Sequence, residues 1–110
     1  MGFIRRAFNV DDEDSSIVAA LRQAGGIPFV KSAMPVGAAP KTSSALWGRA
    51  INPLDMTRMT GGSSGGEAGL IGSGCSPIGL GSDLAGSIRY PAAACGVSGF
   101  KASDERVNCD

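Results

Sequence analysis

The chain has 110 residues, with 10 basic and 10 acidic side chains and no histidine. This length fits one small domain. The absence of histidine excludes Ser-His-Asp and Cys-His catalytic groups, and it leaves a zinc ion only cysteine and carboxylate ligands. A formal net charge of zero argues against a nucleic-acid partner, because a nucleic-acid-binding surface is strongly basic.

No segment of the sequence predicts export or insertion into a membrane. Residues 1–9 carry two arginines but no apolar core of a secretory signal. The longest uncharged run, residues 68–82, is too short and too rich in glycine and serine to span a bilayer. Three cysteines without a Cys-x-x-Cys pair are typical of a reducing compartment. We therefore expect an intracellular protein, cytoplasmic or membrane-associated at full length, with no transmembrane segment in this chain.

Residues 12–24 show the pattern of an amphipathic helix. Three apolar side chains recur at helical spacing: Ile17, Val18 and Leu21. Acidic side chains fill residues 11–14 and Arg22 lies near the other end, an arrangement that the helix dipole favours. Gly25 can end the helix in the left-handed conformation. The apolar residues 27–30 predict a short buried strand, so that helix and strand form half of an α/β unit.

Residues 31–59 show no regular period. Three prolines interrupt the segment: Pro35, Pro40 and Pro53. A loop of this length inside a compact domain is usually functional or held in place by its neighbours. The sequence therefore predicts an irregular segment ahead of the glycine-rich part of the chain.

The stretch from residue 61 to residue 99 holds 12 of the 17 glycines and seven serines. A flexible linker is one interpretation of that composition. Apolar side chains along the stretch argue against it, since a linker has no use for them. They are Leu70, Ile71, Ile78, Leu80, Leu84, Ile88 and Tyr90. We therefore predict a packed site in which the main chain closely approaches a ligand and points N–H groups at it.

Common phosphate-binding and hydrolase motifs are incomplete or unsupported in this stretch. No Gly-Lys-Ser/Thr completes a P-loop, and Leu84 stands where the third glycine of Gly-x-Gly-x-x-Gly belongs. Residues 61–65 match the Gly-x-Ser-x-Gly nucleophile elbow, but an α/β-hydrolase needs a histidine. What remains is a serine activated by a lysine, with a second serine passing the proton between them. Residues 84–87 could supply main-chain N–H groups to a tetrahedral intermediate.

Five segments together resemble the amidase signature family, from about residue 14 to residue 103. They are Asn-Pro at 52–53, Gly-Gly-Ser-Ser-Gly-Gly-Glu at 61–67, Gly-Ser-Asp-Leu-Ala-Gly-Ser-Ile-Arg at 81–89, Pro-Ala at 91–92 and Cys-Gly-Val-Ser-Gly-Phe-Lys at 95–101. The core of the resemblance is residues 61–101. The resemblance implies an α/β fold with a mixed β-sheet flanked by α-helices, of which residues 1–110 form a partial domain. It implies no metal and no organic cofactor.

Local patterns agree with the implied fold. They predict a short helix near residues 65–73 and strands near residues 77–82 and 97–101. Residues 104–110 are polar without a pattern and predict a disordered tail. Elements from the middle of a larger sheet would leave exposed edges and an unfilled core. We therefore expect marginal stability and aggregation of the isolated chain.

The family uses a Ser-cisSer-Lys triad, and the resemblance implies roles for residues of this sequence. Ser87 matches the nucleophile that attacks the amide carbonyl. Ser63 matches the bridging serine, held with a cis peptide, that passes the proton to the lysine. Ser64 resembles a neighbour that braces this relay by hydrogen bonding. Four main-chain amides match the oxyanion hole: Leu84, Ala85, Gly86 and Ser87.

Two charged residues flank the matched turn. Asp83 and Arg89 resemble residues that hold the turn in shape, and a plain structural ion pair is the alternative interpretation. Ala85 replaces the glycine that is more usual in the family, which is a small change if its φ angle is negative.

The triad lysine has no match. In the family it lies upstream of the helix that corresponds to residues 12–24, whereas the first lysine here is Lys31. Lys31 resembles a lysine without a catalytic role that many members carry at a later strand and turn. We therefore expect Lys31 to take no part in catalysis. We also expect the chain to be an internal piece of an amidase, inactive without the upstream lysine.

The partner that the resemblance implies is a small-molecule amide substrate. Residues 65–74, with Glu67 and the Leu-Ile pair at 70–71, are similar to the fatty-acid amide hydrolase branch. That similarity implies a lipid amide, such as a fatty-acid primary amide or ethanolamide. An amidotransferase A-type subunit is an alternative that Glu67 disfavours, because that branch usually has a small residue there. A non-catalytic, truncated amidase-like protein is the other alternative.

Overall fold

The structure of the chain, a computed structural model, describes residues 2–107. Its helices and strands are, in chain order, α1 (Ser16–Gln23), β1 (Ser43–Ser44), β2 (Gly48–Arg49), β3 (Ile51–Asn52), β4 (Asp55–Met59), α2 (Gly65–Gly72) and α3 (Arg89–Cys95). Short 3-10 turns lie at Ile4–Arg6 and Val36–Ala38. The chain divides into two compact units, one of residues 2–7 and 32–101 and one of residues 8–31 and 102–107.

The helix predicted at residues 12–24 is confirmed as α1, which starts later and ends earlier than predicted. Ser15 has an extended backbone, with φ −62° and ψ 157°, so the acidic residues before it lie outside the helix. Asp14 pairs with Arg22 instead, with 2.6 Å between Oδ2 and Nε. Beyond the helix Gly25 adopts a φ of 91°, a conformation that glycine tolerates at a helix end.

Three predicted strands, at residues 27–30, 77–82 and 97–101, are wrong, because none of these segments pairs with a strand in residues 2–107. A strand needs a neighbour that takes up its main-chain N–H and C=O groups. Without a sheet to cover them, apolar side chains of these segments are exposed, with Ile27 at 85% and Phe100 at 83%.

The segment predicted to be irregular, residues 31–59, contains two short antiparallel hairpins, so that prediction is wrong for these residues. The paired residues are Ser43 with Arg49 and Ser44 with Gly48 in the β1–β2 hairpin, and Ile51 with Met59 and Asn52 with Asp55 in the β3–β4 hairpin. Strands β1, β2 and β3 have two residues each. Such strands are too short to show the alternation by which a strand is predicted.

The helix predicted at residues 65–73 is confirmed as α2, and it packs against α3, which the sequence analysis does not predict. Buried apolar side chains within residues 2–107 include Ala68 on α2 and Ala92 and Cys95 on α3. Pro91 lies in the first turn of α3, and Gly96 ends the helix with a φ of 68°. A proline near the start and a glycine just past the end are signals that could have predicted α3.

The described residues form a mixed α/β fragment of three helices and two two-stranded sheets. The larger mixed sheet that the resemblance implies is not formed among them, because β1–β4 pair only within their own hairpins. Of the predicted tail, residues 104–107 include a turn, and residues 108–110 lie outside the described residues. No helix within residues 2–107 has the length and apolar character needed to cross a membrane.

Candidate active site

Ser63 lies in the glycine-rich turn between β4 and α2 and is 0% exposed. The peptide bond between Gly62 and Ser63 is cis. The Ser63 Oγ has no hydrogen-bond partner in the part of the chain that the structure describes. A buried hydroxyl without a partner is uncommon, because no bond offsets the free energy of its desolvation. Among residues 2–107, the Ser63 hydroxyl therefore has none of the polar partners that its burial requires.

A main-chain hydrogen bond brings the turn of Ser63 to the turn that carries Ser87. The Ser64 N–H donates to the Ser87 C=O at 3.1 Å, and the Ser64 Oγ donates to the Ser82 C=O at 3.4 Å. Gly81 allows this close approach, because a Cβ there would lie 2.6 Å from the Ser64 Oγ. Ser64 thus joins two turns that are distant in sequence, and its hydroxyl binds main chain rather than another serine side chain.

Asp83 organises the turn that carries Ser87. Its side chain is 1% exposed, and its carboxylate accepts hydrogen bonds from the N–H groups of Gly86 (2.7 Å), Ile88 (3.0 Å) and Arg89 (3.1 Å). The Arg89 guanidinium adds two bonds of 3.0 Å each, from Nε to Oδ2 and from Nη2 to Oδ1. The Arg89 side chain first, and then the main-chain donors, hold the pKa of the Asp83 carboxyl well below its usual range.

These contacts bear on the two interpretations of the Asp83–Arg89 pair. A plain ion pair would join the two side chains without hydrogen bonds to the main chain. Asp83 instead binds three N–H groups of one turn, which favours the interpretation that it holds the turn in shape. The Arg89 side chain is 56% exposed, so its part is to cover the carboxylate from the solvent side.

One of the four main-chain amides matched to an oxyanion hole is already engaged, since the Gly86 N–H donates to Asp83. The N–H groups of Leu84, Ala85 and Ser87 donate no hydrogen bond within residues 2–107. Gly86 has a φ of 117°, which favours glycine, whereas Ala85 is not among the residues with positive φ. The Ala85 methyl group therefore causes no backbone strain.

Lys31 lies in a setting unlike that of a proton-accepting lysine. Its side chain is 86% exposed, and its Nζ lies 2.5 Å from the Oδ2 of Asp11. A lysine accepts a proton near neutral pH when its side chain is buried away from water and no carboxylate lies beside it. Lys31 meets neither condition, and its lack of a catalytic role stays a prediction.

Comparison with known proteins covers the whole chain. A family model described as Amidase matches residues 1–110. The chain belongs to the amidase family. It is 43% identical over 108 residues to the Vitamin D3 hydroxylase-associated protein of Gallus gallus, covering 97% of this chain and 23% of the relative. It is 38% identical over 109 residues to Fatty-acid amide hydrolase 1 of Sus scrofa, covering 98% of this chain and 19% of the relative.

A third relative of this amidase-family chain comes from the amidotransferase branch. The A-type subunit of the glutamyl-tRNA(Gln) amidotransferase of Campylobacter hominis is 44% identical over 96 residues, covering 86% of this chain and 21% of the relative. The chain spans about a fifth of the length of these curated relatives. The family that the sequence analysis inferred is confirmed, while the percentage identities do not separate its branches.

Two contacts that no motif in the sequence indicates hold the serine-bearing turn of this amidase segment. The hydroxyl of Thr42, which is 1% exposed, donates a hydrogen bond to the Ser63 C=O and accepts one from the Gly65 N–H. The Ser32 hydroxyl donates a hydrogen bond to the carboxylate of Glu67, which lies in the first turn of α2. Each contact joins residues far apart in sequence, so no local pattern could have found it. Within residues 2–107 no three His, Cys, Asp or Glu side chains are grouped so that they could hold a metal ion.

Proposed function

We propose that this chain is a segment of a serine amidase that hydrolyses carbon–nitrogen amide bonds through an acyl-serine intermediate. The observation that carries the proposal is the buried Oγ of Ser63, which has no partner among the described residues and lies next to a peptide group that is hydrogen-bonded to Ser87. A hydroxyl in that position is available to take a proton from one group and pass it to another. A lysine Nζ supplied by the rest of the protein would complete the relay and satisfy the buried hydroxyl.

In the acylation step the Ser87 Oγ attacks the amide carbonyl carbon and forms a C–O bond. Its proton passes to the Ser63 Oγ, and the Ser63 proton passes to the lysine. The carbonyl oxygen becomes an oxyanion, which the N–H groups of Leu84, Ala85 and Ser87, unused within residues 2–107, would stabilise. The C–N bond then breaks, and the leaving amine takes a proton back from the lysine through Ser63. The products are an amine and acyl-Ser87.

In the deacylation step a water molecule attacks the acyl-Ser87 carbonyl and gives its proton to the same relay. Collapse of the second tetrahedral intermediate breaks the C–O bond to Ser87, which recovers its proton, and a carboxylic acid leaves. The relay ends as it began, so the protons balance. Asp83 and Arg89 position the turn in this scheme and touch no substrate.

We infer a small-molecule amide substrate, with a lipid amide as the favoured class. Support comes from the similarity of residues 65–74 to the fatty-acid amide hydrolase branch and from the relative of that name in Sus scrofa. Glu67 is the distinguishing residue, and here it binds Ser32 and lies close against Gly79. The amidotransferase A-type subunit is the alternative, supported by the Campylobacter hominis relative and disfavoured by Glu67.

The fold of the whole protein follows from the same proposal. Segments 27–30, 77–82 and 97–101 carry large apolar side chains but pair with no strand in residues 2–107. In the proposed enzyme, parts of the protein outside this chain pair with these segments and build the mixed sheet flanked by helices. The same parts would cover apolar side chains that are exposed here, such as Phe29 at 65% and Phe100 at 83%.

A second candidate is a non-catalytic amidase-like protein. The observation that favours it is the environment of Lys31, which is exposed and paired with Asp11, unlike the buried setting of a catalytic base. Such a protein would bind an amide ligand or a partner at most. The two candidates differ in whether the Ser63 and Ser87 turns support chemistry once a base is present.

The test replaces the missing lysine base with a soluble amine. The 110-residue chain is treated with a fluorophosphonate probe, with and without ethylamine as a soluble substitute for the lysine side chain, and intact mass is measured over time. We expect ethylamine to raise the labelling rate at least about tenfold and to give one adduct per chain. The adduct is lost in Ser87→Ala, and the effect of the amine is lost in Ser63→Ala.

Ser98→Ala is the matched control, because Ser98 is exposed and lies outside both turns. It should label like the unsubstituted chain. Sodium chloride at equal ionic strength and pH separates the effect of the amine from that of salt, and circular dichroism checks that each variant is folded. A folded chain without an amine-dependent adduct at Ser87 would contradict the proposal and favour the non-catalytic candidate.

A further inference from the structure

The N-terminus of α2 is capped by a residue from outside the helix. Ser64 occupies the N-cap position, but its side chain makes no cap hydrogen bond and donates to the Ser82 C=O instead. The first N–H groups of a helix have no partner within the helix. The Gly65 N–H is satisfied by the Thr42 Oγ1, which accepts its hydrogen bond at 3.2 Å. Thr42 thus does from a distance what an N-cap serine usually does.

The same Thr42 hydroxyl acts in the other direction on Ser63. Its Oγ1 donates to the Ser63 C=O at 3.3 Å, and the Thr42 N–H donates to the Gly61 C=O at 3.2 Å. A hydroxyl can donate one hydrogen bond and accept others, and here both capacities are used. Because Thr42 is 1% exposed, water does not compete for these bonds. Three hydrogen bonds from one residue therefore bracket Ser63.

One peptide group carries the link between Thr42 and Ser87. The Ser63 C=O and the Ser64 N–H belong to the same peptide unit, which is planar. The Thr42 hydroxyl donates a hydrogen bond to the C=O of this unit, and the N–H of the unit donates a hydrogen bond to the Ser87 C=O. The orientation of the unit is therefore set from both ends, one of them by the Thr42 hydroxyl and the other by the residue matched to the nucleophile.

Gly65 packs so closely against Thr42 that it has no room for a side chain. A Cβ on Gly65 would overlap the hydroxyls of Thr42 and Thr60. The absence of a side chain at Gly65 is what lets the Thr42 hydroxyl reach both the Ser63 C=O and the Gly65 N–H.

We infer that Thr42 is a positioning residue of the serine site: its hydroxyl orients the peptide that joins Ser63 to Ser87 and so sets the geometry of the proton relay. This inference rests on the proposed function. Thr42 touches neither the reacting atoms nor the substrate, and it acts through the Ser63–Ser64 peptide. A hydroxyl is the required feature, so serine should replace threonine and valine should not, although valine has nearly the same shape.

The experiment compares Thr42→Val, Thr42→Ser and Thr60→Val. Thr60 is also 1% exposed, and its Oγ1 makes a 3.4 Å bond to the Gly61 C=O, so Thr60→Val removes a neighbouring buried hydroxyl without touching the Ser63–Ser64 peptide. The readouts are the ethylamine-dependent rate of fluorophosphonate labelling at Ser87 and amide hydrogen exchange by nuclear magnetic resonance.

We expect Thr42→Val to label at least about tenfold more slowly and to lose protection from exchange at the Ser64 and Gly65 amides. Thr42→Ser and Thr60→Val should keep both within about threefold. Equal losses in the two valine variants, at amides throughout the chain, would show general destabilisation and overturn the inference. If Thr42→Val does not fold, Thr42→Ser decides, since a tenfold loss despite the retained hydroxyl would also overturn it.

The same experiment distinguishes failure of the proposed function from failure of the inference about Thr42. A folded, unsubstituted chain that does not label contradicts the proposed function. The exchange data then decide about Thr42 alone: loss of protection confined to the Ser64 and Gly65 amides in Thr42→Val supports the hydroxyl as the group that orients this peptide. Unchanged protection at both amides overturns that role.

Discussion

The Ser64 N–H donates a hydrogen bond to the Ser87 C=O at 3.1 Å, and this bond joins the two turns that carry the matched catalytic serines. The geometry of each turn has its own support. Thr42 holds the first turn, and Asp83 holds the second. Both supports bind main-chain groups, so a substitution at either one should alter the turn that it holds.

Replacing Asp83 with asparagine should destabilise the chain by about 2 kcal/mol at pH 7, because part-buried main-chain N–H groups and the Arg89 side chain lose a charged acceptor. Urea unfolding monitored by circular dichroism measures the change. Asp12→Asn, at an exposed position, is the control and should have little effect. An equal loss in both variants would contradict the structural role of Asp83.

The same carboxylate should make stability depend on pH in the acid range. The pKa of Asp83 is lowered in the folded chain, first by the Arg89 side chain. Its stabilisation is therefore fully present above the pKa of an unfolded aspartate, about 3.9, and is lost as pH falls from there towards the folded-state value. Urea midpoints measured between pH 5 and pH 2 should fall more steeply for the unsubstituted chain than for Asp83→Asn. Parallel curves would contradict the prediction.

Gly86→Ala should destabilise the turn by about 1–3 kcal/mol, because Gly86 has a φ of 117°. Within residues 2–107, and apart from the two chain neighbours of Gly86, no heavy atom lies within 4 Å of the position of an added Cβ, so the cost is one of backbone conformation and not of a clash. Thermal unfolding and labelling at Ser87 are the measurements. Ala85→Gly is the matched control on the neighbouring residue and should change both only slightly. An equally stable Gly86→Ala would mean that the turn has another conformation in solution.

Lys31→Met should leave ethylamine-dependent labelling within about twofold of the unsubstituted chain and change stability little, since exposed ion pairs contribute about 0–1 kcal/mol. The structural reason is the exposure of Lys31 and its pairing with Asp11. Labelling time courses at fixed pH check the prediction. Labelling that disappears in Lys31→Met, while Lys41→Met retains it, would make Lys31 the base after all.

The isolated chain should unfold over a broad temperature range and self-associate. Large apolar side chains are exposed, among them Phe8 at 98%, Leu84 at 97% and Phe100 at 83%, while the buried apolar residues are small. Exposed apolar surface of this kind drives association. Calorimetry and sedimentation velocity test the prediction. A sharp, cooperative transition of a monomer would contradict it.

Helices α1 and α2 could be predicted from the sequence, because periodicity, charge near the ends and flanking glycines act within a few residues. The ends of α1 could not, since the backbone of Ser15 is extended and leaves the acidic residues outside the helix. The strands predicted at residues 27–30, 77–82 and 97–101 were wrong for a different reason. An apolar run shows that a segment is suited to a sheet, but a strand exists only where a second strand takes up its hydrogen bonds.

For the candidate site, the sequence alone determined the amidase family and pointed to Ser63, Ser87 and the turn between Asp83 and Arg89 as candidates, because these residues stand in compact motifs. Only the tertiary structure decided what surrounds them. Three-dimensional packing leaves the Ser63 hydroxyl without a partner in the described part of the chain. It also directs the Gly86 N–H to Asp83 and the Thr42 hydroxyl to the Ser63 C=O. Thr42 is distant in the chain from the turn that it holds, and no local spacing encodes a hydrogen bond of that reach.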